Sequence, residues 1–216
     1  MSIISIMNIE IEQLNNLDTG DILLFSGSSI LGRFLEFFGR SKYSHVGIVL
    51  KNPKFLNDAL EDGIYILESS SNNTPDSEDH MYKIGVQIHK LEDVLNEYNK
   101  GCVYVRKLNC IRDDFFYNKL SNIHKEIHNK PYDLNISDWI MAKYNLDKEI
   151  KPNPLYKTTK YFWCSALVCF IFKELGFIKK DINWTLIAPR EFSSIEGKYI
   201  TFDNSICKID DEKLLY

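Results

Sequence analysis

The chain has 216 residues, 44% of them hydrophobic and 26% charged, with a formal net charge of −4 and a pI near 5.8. That length and apolar share predict one globular domain over residues 1–216 with its own core. The lack of a basic excess argues against a nucleic-acid partner. Five cysteines, at 102, 110, 164, 169 and 207, are odd in number and lack a C-x-x-C pair. This pattern favours free thiols in a reducing compartment over a disulfide framework or a zinc ribbon. Residues 1–13 lack a basic start and are interrupted by Glu10 and Glu12, so they do not read as a secretory signal. The longest apolar stretch, 161–172, falls short of the ~20 residues that cross a bilayer, so no stable membrane insertion is expected.

In chain order, Asp18-Thr19-Gly20 reads as a turn and Asp21 to Phe25 as a short buried strand, closed by Ser26-Gly27-Ser28. Ile30, Leu31, Phe34, Leu35 and Phe38 follow helical spacing with Gly39 as the stop. These aromatics serve a core or an apolar substrate wall. Strands over Ser44–Leu50 and Ile64–Ser69 flank a turn-rich connection and predict an antiparallel pair. Ser70 to His80 is a polar loop, a surface excursion with the makings of a lid. Gly85 to Ile88 and Cys102 to Arg106 are strand-like, and Leu91 to Tyr98 holds a helical turn or two. Asp113 is an N-cap for a helix with Phe116, Leu120, Ile123 and Ile127 on one stripe, ended by Pro131. Residues 143–160, rich in lysine, read as an insertion loop. After the next helix come a Pro-started helical turn at Ala188-Pro189-Arg190 and a closing hairpin over Tyr199–Ile209 turning at Asp203-Asn204.

The chemistry concentrates at two places. Tyr161-Phe162-Trp163-Cys164-Ser165 opens an apolar helix that runs through Phe172 and Lys173-Glu174-Leu175 to a left-handed stop at Gly176. Cys164 then lies in the first turn, where the helix dipole and unpaired N–H groups favour a thiolate and offer donors to an oxyanion. Ser44-His45-Val46-Gly47 supplies a histidine entering a strand. If the strands around His45 and Glu68 pair across a connection centred near residue 57, the two residues meet at one sheet end. A thiol nucleophile, an imidazole base and a carboxylate that orients it make a triad.

Gly20-Asp21-Ile22-Leu23-Leu24-Phe25, Ser44-His45-Val46-Gly47-Ile48-Val49, Leu67-Glu68-Ser69, Gly85-Val86, Lys130-Pro131-Tyr132-Asp133 and Trp163-Cys164-Ser165-Ala166-Leu167-Val168 occur in that order. In this the chain resembles the circularly permuted NlpC-like hydrolases of papain fold, in particular the YiiX-like group, which also includes a poxvirus protein. The resemblance covers about residues 20–192. It implies a permuted papain-like α+β fold, an antiparallel sheet packed on the cysteine helix, with Cys164 as nucleophile, His45 as base and Glu68 as the third member. Amide or isopeptide hydrolysis through a thioester follows from it, with no cofactor or metal. Tyr132 resembles a tyrosine that such enzymes place beside the nucleophile, where its hydroxyl assists the oxyanion; packing at a helix end serves it equally well.

Two other readings stay open. One is a lipid-directed thiol acyltransferase or esterase, as in the similar permuted fold of lecithin retinol acyltransferase-like enzymes. The other is a catalytically silent binding or virion protein that keeps the fold. The partner is accordingly a peptide, amide or lipid ester. Cys169, inside the apolar run, is expected to be core. His124 and His128 share a helix face, but Glu126, two positions from each, points nearly opposite, unlike either zinc-protease helix motif, and both histidines are expected at the surface. Neither His80 nor His89 has a partner visible in the sequence. Gly27, Gly32 and Gly39 match no phosphate-binding loop.

Overall fold

A computed structural model describes residues 13–27, 41–71, 74–132 and 160–216. The helix predicted around Ile30–Phe38, with its aromatic wall, and nearly all of the loop predicted at 143–160 lie outside these residues. Strands β1 (Ile22–Ser26), β2 (Tyr43–Lys51), β3 (Ile64–Ser70), β4 (Gly85–Lys90), β5 (Val103–Arg106) and β8 (Lys213–Leu214) form one sheet in the order β4-β3-β2-β1-β5-β8. Every described pairing in it is antiparallel. β6 (Leu108–Cys110) and β7 (Cys207–Ile209) make a second, two-stranded ribbon. The helices are α1 (Leu91–Leu95), α2 (Asp114–Ile127) and α3 (Cys164–Leu175), which makes the fold a mixed one of helices on an antiparallel sheet.

The near-continuous apolar runs of β1 and β2 follow from burial on both faces. Ile22, Leu24, Val46, Ile48 and Leu50 join the larger core with α2 and α3, while Leu23, Phe25 and Val49 join a smaller one with α1. α3 is apolar around its whole circumference because sheet, α2 and the Trp184–Leu186 turn enclose it. Burying one such leucine or isoleucine is worth roughly 2–5 kcal/mol, judged by truncation to alanine. Gly176 ends α3 at φ 88°, the left-handed conformation predicted for it.

Several elements differ from expectation. α2 begins as predicted, with the Asp113 carboxylate accepting from the Phe116 N–H at 3.0 Å, but it stops at Ile127, before Pro131. Its end is made by Asn129 at φ 59°, a residue that tolerates left-handed backbone. Pro131 instead bridges to Gly85. Gly85 has φ 147°, and a Cβ there would lie 2.2 Å from the Lys130 carbonyl oxygen, so only glycine fits this approach. The predicted closing hairpin does not form with itself. Its turn at Asp203 exists, with the Ile206 N–H donating to the Asp203 carbonyl, but β7 pairs with β6 and Phe202 bridges to Ile178. The loop after β3 is no free excursion over its described part: Asp76 is fully buried and paired with Lys83 at 2.5 Å.

Candidate active site

The site forms where two strands part. β2 and β3 pair from Lys51/Ile64 to Ile48/Leu67, and beyond that β2 continues against β1 and β3 against β4. Register sets the residues at this fork: Ile48 opposes Leu67, so His45 and Glu68 lie diagonally across the opening. The His45 Nε2 and Glu68 Oε2 atoms are 2.5 Å apart, and both side chains are buried.

Cys164 opens α3, as predicted, and its sulfur lies near enough to His45 to raise the pKa of that imidazole. The segment before the cysteine is fixed from both sides. Ser69 of β3 donates to the Phe162 carbonyl at 2.6 Å, and the Trp163 indole and Ser165 hydroxyl both donate to the Ile187 carbonyl, at 3.1 and 2.6 Å. The Trp163 side chain does not cap α3.

Tyr132, like the three predicted triad residues, is brought here. The Phe162 N–H donates to the Pro131 carbonyl at 3.1 Å, and the Tyr132 N–H to the Ile84 carbonyl at 3.1 Å. The tyrosine therefore sits in the chain next to the segment that leads into Cys164, despite 31 intervening residues. Its side chain is buried in the larger core.

Sequence reasoning missed His89. Its Nδ1 is 2.9 Å from Glu68 Oε1 and its Nε2 3.3 Å from the Thr74 carbonyl oxygen. Both partners are acceptors only, so the ring satisfies both as an imidazolium. The signal lay in strand pairing: Ile66 opposes His89 and Glu68 opposes Gln87, which puts His89 diagonal to Glu68.

Electrostatics follow from this geometry. Burial disfavours the His45 cation, but the Cys164 sulfur, by charge and hydrogen bond, and Glu68 together raise the pKa well above the usual 6.5. Burial likewise disfavours the Glu68 anion, and His45 and His89 outweigh it, holding the carboxyl far below the ordinary range. His89 is also raised, against burial, by Glu68. Glu68 is thus held as an anion between two histidines whose cations it favours. Cys169 is the inert thiol its place in the run predicts, fully buried and pushed up by burial, and Cys207 is pushed up to about 11 by burial, next to Cys110.

Two expectations about histidines are corrected. His89, read as lacking a partner, is bonded at both nitrogens. His124, expected at the surface, is buried, and with His128 it meets the Glu78 carboxylate, at 2.9 and 3.0 Å from Oε2. Sequence spacing could not show a partner 46 residues upstream.

No family model matches the sequence, and no curated protein matches it. Among solved structures, the chain is similar to the crystal structure of the metalloprotein YiiX from Escherichia coli O157:H7. The match has 16% identity and a TM-score of 0.49, covering 91% of this chain and 97% of that chain. No helix among the described residues is long and apolar enough to cross a membrane.

Proposed function

We propose that the chain is a cysteine hydrolase of the circularly permuted papain-like kind, cleaving an amide or isopeptide bond. One arrangement carries the reading: a helix-opening thiol lies beside a buried imidazole whose Nε2 a buried carboxylate holds, and its sulfur raises the pKa of that imidazole. In this mechanism Cys164 attacks the carbonyl carbon as thiolate, and the oxygen gathers negative charge facing the first-turn N–H groups of α3. His45, as imidazolium, gives its Nδ1 proton to the departing amine, the C–N bond breaks, and a thioester remains. Neutral His45 then takes a proton from water as the water attacks the thioester, the C–S bond breaks, and the acid leaves with the thiolate–imidazolium pair restored. Glu68 holds Nε2–H throughout and stabilises the cation. Low exposure of Cys164 and His45, 2% and 4%, strengthens the ion pair by excluding water.

A panel of electrophilic probes tests this, peptide aldehydes against fatty-acyl electrophiles, with adducts mapped by peptide mass. Peptide probes are expected to modify Cys164 selectively and to do so only with His45 intact. Selective acylation by fatty-acyl probes would move the function to acyl transfer or ester cleavage. Probe labelling that ignores Cys164, or survives His45→Ala unchanged, would leave the silent-fold reading.

A further inference from the structure

Away from the Cys164 site, α2 and the loop before β4 bring three metal-ligating side chains together. His124 and His128 stand one turn apart on α2, and Glu78 comes from the loop. One ligand atom from each lies within 4.8 Å of the other two. Glu78 Oε2 faces His124 Nε2 at 2.9 Å and His128 Nδ1 at 3.0 Å, and the two rings meet edge to face at 5.2 Å. Tetrahedral zinc with bonds of about 2.05 Å separates its ligand atoms by about 3.3 Å, so an ion enters with shifts of about 0.3 Å at each Glu78 contact.

We propose that Glu78, His124 and His128 bind one divalent transition-metal ion of the zinc type, with a fourth position open to water on the His128 side. Two imidazoles and a carboxylate are a borderline-soft donor set that suits zinc over calcium or magnesium. The fourth position follows from burial. His124 and Glu78 side chains are 4% and 7% exposed, while His128 is 29% exposed. Charge favours a dication too: Asp76, Glu78 and Asp79 crowd this loop against the single ammonium of Lys83, which Asp76 and Asp79 already hold.

The outer bonds are partly in place. Asn57 Nδ2 donates to Glu78 Oε1 at 3.0 Å, leaving Oε2 for the ion. The Asn129 carboxamide lies 2.8 Å from His128 Nε2. Coordination through Nδ1 puts the proton on Nε2, opposite the Asn129 N–H whose amide oxygen Lys83 holds, so ion binding also opens this contact. His124 Nδ1 is buried with no hydrogen-bond partner among the described residues. A missing outer partner of this kind weakens a site by roughly ten- to a hundredfold, which predicts moderate affinity. The bound ion ties the loop that leads into β4 to α2.

Chelator-stripped full-length protein, titrated with zinc chloride against a chromophoric competitor, tests the site. One equivalent is expected to bind, with affinity retained in Cys164→Ser and weakened at least about tenfold in Glu78→Gln and in the half-exposed His128→Gln. In the unmutated protein, cobalt(II) should broaden the His124 and His128 ring resonances and show no thiolate-to-cobalt charge-transfer band. No saturable binding at millimolar zinc would overturn the proposal. So would binding indifferent to both loop and helix variants, or lost only in Cys164→Ser, or cobalt broadening confined to His45.

Discussion

Two carboxylates in this chain each lie between two histidines, and their surroundings set them apart. Glu68 bridges His45 and His89 inside the sheet, with all three side chains buried and a thiol on the far side of one ring. Glu78 bridges His124 and His128 between a loop and a helix, with one ring partly open and no thiol among its described partners. In the first cluster the histidines are fixed by acceptors at both ends and stay charged. In the second, all three residues aim their donor atoms at one point. The same residue types thus meet a thiol in one place, and in the other gather three side chains of metal-ligating type without one among the described residues.

The largest effect should come from removing the part that only the first cluster has. Cys164→Ala and His45→Ala are each expected to abolish measurable turnover of a working amide substrate, since no covalent intermediate forms without thiolate or proton donor. Circular dichroism should show both variants folded. Turnover unchanged in Cys164→Ala would end the cysteine-hydrolase reading.

Next in size is Glu68→Gln, which keeps shape and loses charge. Its rate should fall by between about tenfold and about 10⁴-fold, the latter being the loss when a serine-protease triad acid becomes an amide. The same variant has a stability signature with a definite sign. Glu68 is depressed in the fold, so its contribution is present above the unfolded value of 4.5 and lost as pH falls through the folded one. His45 and His89 are raised, so theirs is present below 6.5 and lost as pH rises through their folded values. The Tm deficit of Glu68→Gln should therefore be greatest between pH 4.5 and 6.5. A deficit that grows steadily toward alkaline pH would mean that the pairing is not what stabilises the cluster.

How much of this was legible beforehand depended on the range of each interaction. The triad rested on local signals, a helix start at Cys164 and two strands with a countable connection, and the register came out within two residues of the arithmetic: Val49 opposes Ile66, which centres the pairing between residues 57 and 58. That shift made His45 and Glu68 diagonal neighbours, and the parting of β2 from β3 gave both side chains room. His89 was missed because its partner is set by the pairing of β3 with β4, across a 14-residue connection whose length says nothing of register. The Glu78 cluster was missed for a similar reason: helical spacing exposed the two histidines as neighbours, but their acid arrives from a loop that looks merely polar in sequence. β8 and the swap of β7 onto β6 were invisible because two- and three-residue strands carry no period.

His89 separates the two clusters in a smaller but more diagnostic way. If it is the counter-charge that keeps Glu68 ionised beside a thiolate, it acts through Glu68 as a positioning residue. His89→Gln retains a donor toward Glu68 but not the charge, and should cost about tenfold in kcat with little change in KM. The discriminating readout is pH: the alkaline limit of Cys164 alkylation by iodoacetamide should be unchanged in kind, while its acid limit moves upward, because the thiolate loses a nearby cation. A purely structural role would lower yield and Tm without moving that limit.

The smallest effect is expected at Tyr132, on the segment that runs from the end of α2, beside His128, to the entrance of the Cys164 helix. A principal oxyanion donor, when removed, costs about 10²–10³ in rate. In the proposed mechanism the first-turn N–H groups of α3 are the principal donors, fixed by the backbone and needing no side chain. Tyr132 is buried in the core that packs α3 on the sheet, and its backbone is held by Ile84 while its neighbour Pro131 is held by Phe162. Tyr132→Phe preserves that packing and should lower kcat by less than about tenfold, with Tm nearly unchanged. Tyr132→Ala should do more harm through a cavity than through the lost hydroxyl, lowering Tm by an amount set by roughly 3–5 kcal/mol for a large aromatic removed from a core. A fall of 10² or more in Tyr132→Phe, at unchanged Tm, would instead make the hydroxyl a direct partner of the oxyanion and place a side chain, rather than the helix end alone, opposite the thiolate.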